Sequence, residues 1–68
     1  MMRQFQIHIQ GQRDPLHVEL DCAGLDQLLE LASHSRFVVG FLAGVDESGC
    51  QPKVMIAASR ISCAIELN

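Results

Sequence analysis

His8, His17 and Glu19 are the side chains of this 68-residue chain whose types and spacing point most directly to chemistry. Two imidazoles and a carboxylate suit zinc or nickel and leave a coordination position open. Both histidines fall on the polar side of alternating segments. Phe5, Ile7 and Ile9 alternate with Gln4, Gln6 and His8, and Leu16, Val18 and Leu20 alternate with His17, Glu19 and Asp21. The pattern predicts a half-buried hairpin with one wet face. A four-residue loop at 11–14 pairs Ile9 with Leu16 and sets His8 opposite His17, with Cβ atoms about 4.5–5.5 Å apart. A two-residue Gly11-Gln12 loop keeps the same faces but carries Pro15 into the ladder, so the longer loop is the expected one. No further residue closes such a site and no outer partner orients its ligands. Solvated surface histidines are the commoner arrangement, and a metal or small-ligand role for these three residues stands as the alternative reading.

The three cysteines carry less. Cys22, Cys50 and Cys63 are scattered, form no CxxC and are odd in number, which reads as thiols in a reducing compartment, the cytoplasm. Cys63 is expected as a small core residue, and Cys22 and Cys50 near element ends. Cys22 precedes a helix, where the dipole lowers a thiol pKa, but alternation turns it away from His17 and leaves it without a base. Cys50 lies in the 46–52 loop as the most exposed thiol. Ser59-Arg60 marks a corner with Arg60 reaching to water, and Asp46-Glu47 a solvated turn. No nucleophile–base or acid–base pair emerges, so the chain reads as non-catalytic, with no cofactor implied.

Other ligand classes are disfavoured by composition. Charged residues make up 19% of the chain and the net charge is −3. Lys and Arg at 3, 13, 36, 53 and 60 form no stripe along which a phosphate backbone could run. The three Phe residues fall at inward positions, which removes stacking platforms for bases. No phosphate-binding loop follows Gly40 or Gly44, and no apolar run approaches the length that spans a bilayer.

These residues must be held by a small number of elements. Leu25, Leu28, Leu29 and Ala32, with Leu31 on the flank, form an apolar stripe at helical spacing and predict a helix over 24–34. Asp21 or Gly24 is placed to cap its start, Asp26 lies in the first turn, and His34 and Arg36 sit at the far end. Residues 36–45 are apolar on both sides, which predicts a strand covered twice. Gly40 and Gly44 within it suggest a bend, a bulge or a close backbone approach. Lys53–Ala57 predicts another strand, and Ala58-Ser59-Arg60 interrupts an alternation that Ile61, Cys63, Ile65 and Leu67 resume. That leaves either one long bent strand or two short strands joined by a tight corner.

The order is β-β-α-β-β(-β) in a single α+β domain over 1–68, a mainly antiparallel sheet packed on one helix. The corner at 58–60 resembles, at fold level alone, that of small five-stranded SH3-like barrels, which implies a sheet curling toward closure. Apolar residues are 49% of the chain, more than so small a core can cover. The excess predicts self-association, a dimer first, or docking onto an unidentified protein partner. Val38, Leu42 and Met55 are the expected contact residues, on or beside the strand face turned away from the helix.

Overall fold

The structure, a computed structural model, describes residues 2–44 and 47–67. Val45 and Asp46, at the end of the expected strand and in the expected turn, lie outside the described residues. Five strands and one helix follow in the order β1 (Met2–Ile9), β2 (Leu16–Asp21), α1 (Leu25–His34), β3 (Phe37–Leu42), β4 (Lys53–Ala57) and β5 (Ile61–Leu67). The final segment is thus two strands, separated by a 3₁₀ turn at Ala58–Arg60. All pairings are antiparallel, in the spatial order β4-β3-β2-β1-β5. The small α+β fold is as the sequence predicts. The suggested closure is not: β4 and β5 are the two edges of an open sheet.

The first hairpin departs from the expected register, for a local reason. Ile9 C=O accepts the Gln12 N–H at 3.1 Å, and Gly11 occupies the left-handed region at φ 84°. A turn this tight needs glycine at its third position. Ile7 consequently pairs with Leu16 and Gln6 with His17, the alignment of the Gly11-Gln12 loop. Pro15 does not spoil the ladder because β2 begins only at Leu16.

Alternation in β1 and β2 sends Phe5, Ile7, Val18 and Leu20 to the helix side, where they are almost fully buried. Leu28 of α1, Val38 of β3, Ile56 of β4 and Cys22 complete a single core cluster. Val38 therefore faces the helix, with Leu42 packed against the same core, rather than away from it as expected. The outward side of β3 belongs to Phe37, Val39 and Phe41, of which the first two are 47% and 62% exposed. The β-branched run Val38-Val39 offers no polar residue to mark its phase, which explains the inversion. The outward positions of Phe37 and Phe41 also correct the expectation that every Phe points inward; only Phe5 does.

Gly40 is dictated by the approach of β3 to β2. A Cβ there would lie 2.4 Å from Leu20 Cδ2 and 2.5 Å from the Glu19 carbonyl oxygen. No other residue type fits without moving a strand.

A register shift between His8 and Ile9 resets β5. Ile9 pairs with Ile61 on one side of it, and His8 with Cys63 and Ile7 with Ala64 on the other. The extra residue in β5 flips its phase. Ala64 packs toward the core, while Cys63 is exposed and Ile65 is 42% exposed. Cys63 is thus a surface residue, not the core residue its place in the alternation implied.

The helix lies over the sheet but only part of its stripe is covered. Leu28 is buried and Ala32 half-buried, whereas Leu25, Leu29 and Leu31 are 43%, 67% and 41% exposed. A ten-residue helix is about 15 Å long, too short to roof a five-stranded sheet about 19 Å across between its outer strands. Gly24 stands at its N-cap without a side-chain cap of its own.

Candidate functional site

The sheet face opposite the helix has a polar centre and apolar flanks. Registered partners form a row across it: Lys53 opposite Phe41, Phe41 opposite Glu19, Glu19 opposite Gln4, and Gln4 opposite Leu67. At the centre, His17 Nε2 donates to Gln4 Oε1 at 3.2 Å and Gln4 Nε2 donates to Glu19 Oε2 at 3.2 Å. Gln51, from the β3–β4 connection, donates to Glu19 Oε1 at 2.8 Å and lies 3.4 Å from the Leu42 carbonyl oxygen. Both carboxylate oxygens of Glu19 are therefore occupied by amides. Hydrogen bonds from Gln51 and then Gln4, with a smaller attraction from His17, hold its carboxyl below the ordinary value of 4.5.

This arrangement changes what the expected metal residues can do. His8 is opposite Cys63 and not His17, because the hairpin register is two residues tighter than expected. His17 and Glu19 are joined through Gln4 instead of converging on a common point. Among the described residues no three His, Cys, Asp or Glu side chains gather where they could hold a metal ion. Gln4 and Gln51 were not singled out in the sequence. The parity that puts Gln4 on the wet face of β1 was legible, but the contact with Gln51 depends on how the β3–β4 connection folds back.

The network has a mechanical role visible in the ladder. Only Val18–Leu42 and Glu19–Phe41 pair between β2 and β3, the shortest seam of the sheet. An Ala43 N–H to His17 C=O bond at 2.9 Å extends it, and the Gln51–Glu19 contact clasps the β3–β4 hairpin to β2.

Apolar surface flanks this centre on both sides. On one flank Val39 and Met55 are paired across β3 and β4, and Met55 is 64% exposed. Met55 is thus the one expected contact residue that faces outward. On the other flank Cys63, Ile65 and Leu67 line the open face of β5. Around the edge of β5, a cleft of about 380 Å³ opens between that strand and the helix, lined by Leu25, Leu28, Leu29, Ala58, Ile61 and Ala64 among others.

Cys22 is buried, and desolvation raises its thiol pKa, the reverse of what a nucleophile needs. The helix start is served instead by β5: Glu66 Oε1 accepts the Leu25 N–H at 2.9 Å, and Glu66 Oε2 lies 3.7 Å from Arg3 Nη1. No helix among the described residues is long and apolar enough to cross a membrane. No protein-family model matches the chain, and no curated protein or solved structure is detectably similar to it.

Proposed function

We propose that this chain is a non-catalytic self-association module, working in a reducing compartment such as the cytoplasm. The observation that carries the reading is the exposed area, 4848 Å², against about 4,200 Å² from size scaling for a monomer of this mass. Part of that exposed surface is apolar: Leu29, Val39 and Met55 are each more than 60% exposed. Burying such surface against a second copy stabilises at about 25 cal/mol per Å², and a fold with so few buried core residues gains most from it. The reducing compartment is supported by an odd number of scattered cysteines with no CxxC spacing.

Light scattering across a hundredfold dilution, with reductant present, tests the reading. A species of about twice the 7.5 kDa chain mass, dissociating only at the lowest concentrations, is the expected result. A monomer at every concentration overturns it.

A further inference from the structure

We infer that the β3–β4 hairpin is a hinged flap, which opens off β2 as a unit while β1, β2, β5 and α1 keep their packing. The motion needs no second copy. The two ends of the hairpin are held differently. At the end where Phe37 pairs with Ala57, the chain enters and leaves side by side, and Ala58 N–H donates to Arg36 C=O at 2.8 Å. Both flanking segments are anchored to the rest of the molecule. Ser35 N–H closes the helix on Leu31 C=O at 3.0 Å, and Arg60 C=O accepts the Gln10 N–H at 2.8 Å. The ties to β2 lie at the opposite end: the pairs Val18–Leu42 and Glu19–Phe41, the Ala43 N–H to His17 C=O bond, and the Gln51–Glu19 contact. The hairpin is jointed at one end and latched at the other.

The division of the core favours this motion. The strands left behind, β2-β1-β5, form a three-stranded antiparallel sheet under a helix, the smallest arrangement that holds by itself. That part retains Phe5, Ile7, Val18 and Leu20, the most deeply buried large side chains, together with Leu28 and Cys22. The hairpin contributes Val38 and Ile56 to the buried cluster. Opening therefore gives up the shortest ladder of the sheet and a minor share of the core, whereas global unfolding gives up all of both. Within the flap, β3 and β4 pair from Phe37–Ala57 to Phe41–Lys53. Two strands alone are marginal in water, so this ladder loosens once it leaves the sheet, and its amides exchange with solvent through that one opening. While the flap is out, β2 presents an unpaired edge.

Native-state hydrogen exchange on the dilute protein reads the flap directly, with each amide rate corrected for its intrinsic value. The amides of β3 and β4, with that of Ala43, are expected to exchange as a group roughly tenfold faster than those in the ladders of β1 with β2 and β5. Gln51 is half-buried and lies outside the strands, so Gln51→Ala removes the latch without emptying the core. It is expected to speed the hairpin group a further fivefold, roughly, through loss of a hydrogen bond to a carboxylate, and to leave the β1–β2 and β1–β5 amides unchanged. A single rate shared by all the ladders, or a hairpin slower than the rest, overturns the flap. So does a Gln51→Ala effect that is equal in every strand or absent from all of them.

Discussion

The carboxylate of Glu66 accepts the backbone N–H of Leu25, so β5 caps α1 from 41 positions away. Helix starts ordinarily find this acceptor in their own N-cap residue, but Gly24 has no side chain to offer. A Cβ at residue 24 would lie 3.3 Å from Glu66 Oε1, and the glycine leaves room for the carboxylate to come close. Removing the acceptor with Glu66→Ala is expected to cost about 1 kcal/mol, read as a lower urea midpoint with unchanged slope. Glu66→Gln, which keeps an acceptor oxygen, should lose less. Equal losses would assign the effect to the negative charge near Arg3 and not to the cap.

The helix faces can be told apart by two leucines adjacent in sequence. Leu28→Ala is expected to destabilise by about 3 kcal/mol, because it empties a buried site. Leu29→Ala should change monomer stability by less than about 0.5 kcal/mol. Urea denaturation at a concentration where the protein is monomeric checks both. A large loss for Leu29→Ala would place that side chain against its own sheet.

Gly40→Ala should be among the most damaging single-methyl additions in the chain. The added carbon meets both a leucine methyl and a carbonyl oxygen of β2 at distances no packed pair sustains. A loss of about 2 kcal/mol or more is expected from overpacking at the shortest seam of the sheet. A melting temperature equal to the parent's would refute the close approach of β3 to β2.

Acid should loosen the same seam. The folded-state pKa of Glu19 is depressed, first by the Gln51 and Gln4 hydrogen bonds. Its ionised form therefore contributes stability above the unfolded-state value, and that contribution is lost as the pH falls through the lower folded-state value. Melting temperatures measured from pH 7 down to about pH 3 should fall more steeply for the parent than for Glu19→Gln. Parallel curves would remove Glu19 from the acid response.

The parts of this architecture that were legible in the sequence are those where polar residues mark a phase. Gln4, Gln6 and His8 against Phe5 and Ile7 identify the buried side of β1 without ambiguity, and the helix stripe identifies α1. In β3 the run Phe37-Val38-Val39 carries no such mark, and the face assigned to Val38 came out inverted. In β5 the alternation of Ile61, Cys63, Ile65 and Leu67 looked continuous, but one extra residue in the pairing with β1 reverses its meaning after Ile61. The hairpin register was hidden for a different reason. Both loop lengths preserve face parity, so hydrophobic pattern could not choose between them, and the decision fell to the left-handed Gly11. The first failure moved the candidate contact residues Val38 and Leu42, the second took Cys63 out of the core, and the third moved His8 away from His17.

The position of β1 between β2 and β5 also governs how the chain finds its fold. Hairpin β1–β2 closes a short loop and is available early, but the second side of β1 waits for residues near the opposite end, as the pairing of Gln4 with Leu67 requires. Closing so long a loop is an entropic toll that precedes any reward from the contacts it enables. Until it is met, both margins of the early hairpin lie bare, and refolding at high protein concentration sets correct completion by β5 in direct competition with strands from neighbouring chains.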